Sequence, residues 1–248
     1  MIREKTKKRK AKDVLFFAFL GIIIVTSLVS AVDPYGPDNL NVISNETKTS
    51  PSAQMVNISG GRIATLNLSA TVQNTRWKAF VGNVTGKFTL DDSSGSTIFD
   101  WTISTLTGRV YATRNSTSVE WSSIACSSVA NLEQENYDMN HTNSYDNITA
   151  TFNTTASATH EAFYVGSTLI SANSCPTLNA YSNSVADDNY WEEMALYDNT
   201  NVVYAAILED DQAGFDNADY DFQMIVPENG DPSLTGATPY YIYLEIGS

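Results

Sequence analysis

The stretch EMALYDNTNVVYAAIL, residues 193–208, decides the fold. It places two apolar runs on either side of the polar turn DNTN, with Asp198 at the turn entrance, where an aspartate side chain can bond the backbone. The stretch KFTLDDSSGSTIFDWTI, residues 87–103, has the same order of an apolar residue, Leu, Asp, a polar turn, and β-branched and aromatic residues. Both patterns predict antiparallel β-hairpins, which favour sheet-on-sheet packing.

Short runs of strand-forming residues, separated by Gly, Asn, Asp and Ser, continue along most of the chain and predict further strands. The predicted strands are residues 55–59, 62–73, 76–91, 96–104, 108–113, 118–125, 147–154, 161–171, 177–182, 190–197, 201–209, 220–226 and 239–246. In RIATLNLSATV, residues 62–72, apolar and polar residues alternate, which is typical of a strand with one buried face. One short helix is expected after Cys126, where Ser127 or Ser128 can cap it.

The predicted fold class is therefore all-β, an antiparallel β-sandwich of Ig-like or jelly-roll-like type with one short helix. We assign residues 55–248 to this domain and residues 32–54, which are poor in apolar side chains, to an extended tether. The loss of all basic residues after Arg114 leaves open a division of the sandwich into two halves near residue 115. One continuous unit is preferred, because no long linker interrupts the strands.

The N-terminus predicts export. Seven of the first twelve residues are Lys or Arg, and residues 14–31 carry no charge and end in small residues. Residues 1–31 therefore form either a signal peptide cleaved after Ala31 or an N-terminal membrane anchor helix through residues 14–31. A pilin-type leader, cut ahead of the apolar run, is a third alternative, which the charged pair Lys12–Asp13 disfavours. In each case the remaining chain is expected outside the cell or on its surface.

The charge of the exported part excludes one class of partner. Residues 32–248 hold 26 acids and 7 bases, a net charge of −19, and residues 115–248 hold 20 acids and no base. Phosphate binding requires Lys and Arg, so we expect no nucleic-acid partner. A solvated acidic surface that keeps an extracellular protein soluble accounts for this composition.

Two cysteines, Cys126 and Cys175, are predicted to form a disulfide, because a cysteine pair in an exported chain favours bonding. The alternatives are two buried thiols or a metal pair. With only His141 and His160 as further nitrogen ligands, a zinc site is not expected.

Eight Asn-x-Ser/Thr sequons predict N-glycosylation of the exported chain. They begin at Asn45, Asn57, Asn67, Asn83, Asn115, Asn140, Asn147 and Asn153. The alternative is that a chain rich in Ser, Thr and Asn forms sequons by composition alone.

The acidic stretch LEDDQAGFDNADYDF, residues 208–222, is the candidate metal site. Calcium takes six to eight oxygen ligands from flexible loops, and the candidate ligands are Asp216, Asn217, Asp219 and Asp221. The alternative is a solvated turn. A second acidic cluster, Asp187, Asp188, Glu192 and Glu193, is expected at an exposed strand edge protected by its charge.

No catalytic residues are assigned. His160 near Ser167 is the one candidate pair for nucleophilic hydrolysis, but "YVGSTLI" lacks the Gly-x-Ser-x-Gly elbow, and we expect His160 at the surface or at a strand end. Exposed tryptophans are a candidate carbohydrate platform, although tryptophan in a sandwich usually belongs to the core.

The segments "WKAFVGNVTGKFTLDD…IFDW" (77–101) and "YDFQMIVPE" (220–228) resemble uncharacterised exported β-rich surface proteins of archaea. This resemblance implies a surface location and no chemistry. The predicted function is a non-catalytic cell-surface protein with a structural, assembly or adhesive role, which contacts other copies or a surface glycan. The alternative is an extracellular carbohydrate-binding or carbohydrate-active protein.

Overall fold

The computed structural model describes residues 32–116, 119–152, 159–187, 189–231, 233 and 236–247. Within them the chain forms sixteen strands, two α-helices and a 3-10 turn at Trp121–Ser123. The strands are β1 (Trp77–Gly82), β2 (Lys87–Asp91), β3 (Thr97–Thr102), β4 (Gly108–Thr113), β5 (Ala125–Cys126), β6 (Phe163–Val165), β7 (Thr168–Ile170), β8 (Thr177–Asn179), β9 (Tyr181–Ser182), β10 (Val185–Ala186), β11 (Glu192–Tyr197), β12 (Val202–Ile207), β13 (Gln212–Ala213), β14 (Asp219–Tyr220), β15 (Phe222–Pro227) and β16 (Tyr241–Ile246). The helices are α1 (Val129–Asp138) and α2 (Ile148–Thr151).

The largest sheet forms around the hairpin of residues 193–208. Its strand order is β16–β4–β12–β11, and β5 and β8 both pair with the free edge of β11. Five two-stranded sheets accompany it: β1–β15, β2–β3, β6–β7, β9–β10 and β13–β14. All of these pairs are antiparallel, so the predicted antiparallel β class is confirmed, while the Ig-like or jelly-roll-like sandwich type stays a prediction.

The large sheet is buried on both faces, and the sequence of β12 shows how. All six of its side chains are buried. Val202, Tyr204 and Ala206 join one apolar cluster, and the alternate residues Val203, Ala205 and Ile207 join the other. Because successive side chains of a strand point to opposite faces, a continuous apolar run indicates a strand covered on both sides.

The layers that cover the two faces differ. The first cluster is closed by β1, β15 and both helices, through residues such as Phe80, Met224 and Leu132. The second is closed by the β6–β7 hairpin, the 3-10 turn and the segment of Cys175. Full burial of an apolar side chain such as Leu132 or Met224 contributes about 1.5–3 kcal/mol to the stability of the fold. Both layers are therefore bound to the sheet by their apolar contacts.

Each of the two helices begins at a residue whose side chain caps its first turn. At α1 the Ser128 hydroxyl accepts from the Asn131 N–H at 3.2 Å, while Asn131 Oδ1 accepts from the Ser128 N–H at 2.8 Å, which confirms the predicted helix after Cys126. The prediction of a strand at residues 147–154 is wrong for its described part. Asn147 caps α2 by accepting from the Ala150 N–H at 2.7 Å, and the helical spacing of Ile148 and Phe152 buries both.

The segment between Tyr35 and β1 contains no strand. Tyr35 exchanges two backbone hydrogen bonds with Leu244 at the edge of β16, at 3.0 and 2.7 Å. From there to residue 76 the chain forms neither helix nor strand, and every residue from 38 to 75, which we call the arm, is exposed. The predicted strands 55–59 and 62–73 are therefore wrong for the monomer, since neither finds a partner strand among the described residues.

The part of the chain from Asp33 onward forms one compact unit. Its large sheet joins β4, which precedes residue 115, to β12 and β16, which follow it. Within the described residues no helix is long and apolar enough to cross a membrane, and the predicted leader, residues 1–31, lies outside them.

Candidate functional site

The β2–β3 hairpin is shaped by the turn between its strands. Asp92 Oδ1 accepts from the backbone N–H groups of Ser94 at 2.8 Å and Ser96 at 2.9 Å, and the Asp92 N–H donates to Ser96 O at 3.0 Å. Gly95 has a φ of +78°, a conformation that glycine adopts without steric cost. The predicted role of the aspartate at the turn entrance is thus confirmed.

One face of this hairpin is apolar and exposed. Phe88 pairs with Trp101 and Leu90 with Phe99, so these four side chains share one face. Their exposed fractions are 48%, 48%, 55% and 58% in that order, and the rings of Phe99 and Trp101 meet edge to face at 4.9 Å between centroids. We call these four residues the hairpin face.

The opposite face of the hairpin is polar. Lys87 Nζ forms an ion pair with Asp100 Oδ2 at 2.7 Å, and this hydrogen bond raises the pKa of Lys87. The Thr89 hydroxyl donates to Asp91 Oδ2 at 2.8 Å. Hydrogen bonds from threonine hydroxyls, first that of Thr97 and then that of Thr89, lower the pKa of Asp91. A hairpin with one apolar and one polar face is typical of a sheet that covers a core, yet every residue of both strands is exposed.

In the β11–β12 hairpin, which lies in the core, an aspartate at the turn entrance binds the turn backbone in the same way. Asp198 Oδ1 accepts from the N–H groups of Thr200 at 2.9 Å and Asn201 at 2.7 Å, and Asn199 adopts a φ of +72°. Its strands, however, lie at the centre of the large sheet and are almost wholly buried. The same local pattern therefore gives one hairpin inside the large sheet and one that no layer of the described residues covers.

The four tryptophans divide between core and surface. Trp121 and Trp191 are buried, and Trp77 is partly buried with its Nε1 donating to Asp146 O at 2.8 Å. Trp101, on the hairpin face, is the exposed one. The candidate platform of exposed tryptophans is thus reduced to Trp101 and its neighbour Phe99.

The predicted calcium ligands separate into an inward residue and an exposed turn. Asp221 is buried, and its Oδ2 accepts from the Val84 N–H at 2.6 Å while its Oδ1 accepts from the Asp211 N–H at 3.1 Å. The bond from Val84 ties the loop to the chain that follows β1, and the bond from Asp211 closes the loop on itself.

Asp216, Asn217 and Asp219 lie in the exposed turn and strand start between β13 and β14. Asp216 accepts from the Ala218 N–H at 3.0 Å and from the Tyr220 hydroxyl at 3.2 Å, and Asn217 has a φ of +69°. Within the described residues no group of three or more His, Cys, Asp or Glu is arranged to hold a metal ion. The calcium site stays a prediction.

Glu209, at the start of the acidic stretch, lies beside the second acidic cluster. Its pKa is raised to about 7, first by burial and then by the carboxylates of Glu161, Glu192 and Asp187. The prediction that this second cluster marks an exposed strand edge is wrong for Glu192 and Glu193, which are buried in β11; Asp187 is partly buried, and Asp188 lies outside the described residues.

Cys126 and Cys175 are joined by a disulfide, as predicted, with their Cα atoms 4.8 Å apart. His160 is buried beside it rather than at the surface. Its Nε2 accepts from the N–H groups of Ser174 at 3.0 Å and Cys175 at 3.1 Å, and its Nδ1 bonds Glu161 O at 2.7 Å. Burial lowers the pKa of His160, and its Nε2 holds the disulfide segment.

The sequence did not indicate that Glu193 and Glu245 are buried. Glu245 accepts from the Tyr111 hydroxyl at 2.6 Å and from the Gly166 N–H at 3.1 Å, which ties the β6–β7 hairpin to the large sheet. Glu193 is fully buried, and its Oε2 accepts from the Ile225 N–H at 2.8 Å. Burial raises the pKa of both carboxyls.

Most predicted glycosylation sites are accessible. Asn45, Asn57, Asn67, Asn83 and Asn140 are exposed, Asn115 and Asn147 are half-buried, and Asn153 lies outside the described residues.

No known protein family, curated protein or solved structure matches the chain.

Proposed function

We propose that the protein is an exported, non-catalytic cell-surface protein with a structural, assembly or adhesive role, and that the hairpin face is its contact surface. The observation that carries the proposal is the exposure of four large apolar side chains on one face of a two-stranded sheet. Contiguous exposed apolar patches mark interaction sites in soluble proteins.

Other features support a location outside the cell. The basic and apolar leader has the pattern of an export signal, and the disulfide is typical of an oxidising compartment. Exposed sequons and a net charge of −19 beyond residue 31 fit a solvated, glycosylated surface. The resemblance to archaeal surface proteins points the same way.

We assign the fold to the β-sandwich class, because the β1–β15 pair lies over the large sheet and the two share one apolar cluster. Calcium remains the proposed ion for the 209–221 loop, through Asp216, Asn217 and Asp219 in the exposed turn, with Asp221 at its inner end.

The hairpin face has apolar area left to bury. Each of its side chains is about half exposed, so covering one of them contributes on the order of 1 kcal/mol. Four together contribute a few kcal/mol, enough to tighten a weak contact by two to three orders of magnitude.

The test is self-association of the exported protein, purified from cells that express the full chain. We expect Phe88→Ser with Trp101→Ser to lower the association measured by sedimentation velocity, or the adhesion of cells that carry the protein. The matched control is Tyr137→Ser with Tyr145→Ser, which removes two aromatics that are 82% and 93% exposed elsewhere. Equal association and adhesion in all three proteins would contradict the proposal.

A second candidate function is carbohydrate binding, favoured by the exposed aromatic pair Phe99–Trp101. A sugar stacked on Trp101 changes its fluorescence, while the other three tryptophans are buried or partly buried. Titration with neutral oligosaccharides separates the two functions: a saturable change that Trp101→Ser removes favours glycan binding, and no change leaves protein contact as the role of the face.

Export has its own test. N-terminal sequencing of the mature protein is expected to begin at Val32 if the leader is cleaved, and an intact N-terminus in the membrane fraction indicates a retained anchor. Recovery of the whole protein in the cytosol would contradict export.

A further inference from the structure

We propose that residues 62–72 of the arm form a β-strand on the free edge of β2 in a second copy of the chain. This inference rests on the proposed assembly function, and it names the partner of the free edge beside the hairpin face. The arm of one molecule then supplies the strand that the hairpin of the other lacks.

The arm is too long and too regular for an ordinary connection. Its 38 residues, 38–75, are anchored at one end by the Tyr35–Leu244 bonds and at the other by the start of β1. Loops longer than about 12–15 residues with no secondary structure are uncommon in compact domains and are usually functional. One bond, from Lys48 Nζ to Thr71 O at 3.3 Å, links its two halves.

Within the arm, residues 62–72 have the pattern of a strand with one buried face. One side is Ala64, Leu66, Leu68, Ala70 and Val72, with Arg62 at its start, and the other is Ile63, Thr65, Asn67, Ser69 and Thr71. Leu66, Leu68 and Val72 are 53%, 88% and 86% exposed in the monomer. A period of two that buries nothing in its own molecule indicates a partner outside it.

The β2–β3 hairpin lacks what this segment would provide. A two-stranded hairpin is marginally stable in water, and three or more strands with an apolar face are needed for independent stability. Among the described residues β2 pairs with β3 alone, so its outer edge exposes unpaired backbone groups. An added strand satisfies that edge and extends the hairpin face sideways.

Charge selects the direction of the added strand. The chain carries no acid between Glu46 and Asp91, and Arg62 precedes the alternating segment. The hairpin turn carries Asp91 and Asp92. An antiparallel strand on β2, with Leu66 beside Leu90 and Leu68 beside Phe88, sets Arg62 opposite Ser94, in the turn that carries Asp92. The same register sets Asn67 beside Thr89 on the polar face.

The state of the segment in its own molecule places this strand in a second copy. Among the described residues β2 pairs with β3 alone, and residues 62–72 form no strand, with Leu66, Leu68 and Val72 exposed. The free edge and the free segment are therefore both present on every copy of the chain, and we place the pairing between two copies.

The first test is a pair of adjacent prolines, Leu66→Pro with Asn67→Pro. Successive N–H groups of a strand point to opposite edges, so one of the two removed donors faces β2. We expect self-association of the exported protein to weaken about tenfold. Monomer stability should not change, because both residues are exposed. The matched control is Ala53→Pro with Gln54→Pro, in the same arm but outside the segment.

The second test is a cross-link between molecules. Asn67→Cys in one preparation and Thr89→Cys in another should form a mixed disulfide dimer on oxidation, whereas Asn67→Cys with Tyr137→Cys should not. A bond that forms within single molecules of the double variant Asn67→Cys/Thr89→Cys would overturn the assignment to a second copy.

If the proline pair leaves association unchanged while Phe88→Ser with Trp101→Ser abolishes it, this inference fails and the proposed function stands. If neither pair has an effect, both fail.

Discussion

Replacement of Glu193 by glutamine should stabilise the protein relative to the wild type at pH values above about 4.5. Glu193 lies in β11 with 0% of its surface exposed, between strands β8 and β12. Its Oε2 accepts from the Ile225 N–H at 2.8 Å, and its Oε1 has no hydrogen-bond partner among the described residues. A carboxylate in this position would be a buried charge with no cation beside it, so burial raises the pKa of Glu193 well above its ordinary value of 4.5.

The sign of the pH dependence follows from the protons bound. Above about pH 4.5 the unfolded chain has lost the Glu193 proton and the folded chain keeps it, so folding takes up one proton. Stability then falls by about 1.4 kcal/mol per pH unit as pH rises from 4.5 toward the folded pKa. Glutamine keeps the amide oxygen for the Ile225 N–H and does not titrate, so the variant lacks this slope.

The assay is thermal or urea unfolding of both proteins from pH 4 to pH 8. For a chain of this size the melting temperatures should separate by roughly 3–6 °C per pH unit above pH 4.5 and converge below it. The control is Glu133→Gln on the exposed face of α1, which should not change the slope. A constant difference between wild type and Glu193→Gln across this range would refute the buried, protonated state of the carboxyl.

Four further outcomes are expected. The lowered pKa of His160 means that its stabilising contribution is present above about pH 6.5 and is lost as pH falls; His160→Gln should flatten the stability curve from pH 7 to pH 5. Replacement of Cys126 and Cys175 by serine should cost about 4 kcal/mol of unfolding free energy in the chain-entropy model for a separation of 49 residues, measured against the oxidised wild type, and the reduced wild type should lose a similar amount. Asp221→Ala should destabilise by about 2–4 kcal/mol whether or not calcium is present, because two backbone N–H groups lose their acceptor. If calcium binds the 209–221 loop, it should raise the melting temperature of the wild type and not of Asp219→Ala, and equal melting in calcium and chelator would leave only a solvated turn.

Features set by a few neighbouring residues could be predicted from the sequence. Both hairpins were found because an aspartate at the turn entrance bonds backbone groups within four residues, as Asp92 and Asp198 do. The α1 cap at Ser128 is local in the same way. The disulfide was found because an isolated cysteine pair in an exported chain has few alternatives.

Features set by distant contacts could not be predicted. Residues 62–73 alternate like a strand, but alternation states only that one face can be buried and does not supply a partner. Residues 148–151 contain β-branched side chains that favour a strand, and the Asn147 cap together with the burial of Ile148 and Phe152 against α1 and the large sheet favours a helix. Tertiary packing decides between two such local preferences.

Glu192 and Glu193 show why a run of acidic residues does not reliably indicate an exposed strand. A run of acids beside Trp191 is typical of an exposed edge, but β11 lies inside the large sheet, with β12 on one side and β5 and β8 on the other. The signal that could have identified it was the continuous apolar run in its hairpin partner, since a strand buried on both faces requires neighbours that are buried as well.

Five of the 28 acids in this chain serve its turns. Asp92, Asp187, Asp198, Asp216 and Asp231 each accept a hydrogen bond from the backbone N–H two residues further along, at 2.8–3.0 Å. An ionised carboxylate is a better acceptor for such a turn than a neutral side chain, because charge-assisted hydrogen bonds are stronger. Backbone dipoles thus stabilise charges in a region that has no basic side chain after Arg114. The N–H of Ser96 and then that of Ser94 lower the pKa of Asp92. The hydroxyl of Ser233 and then its N–H lower the pKa of Asp231, so these two turns keep their acceptors from neutral pH down into the acidic range.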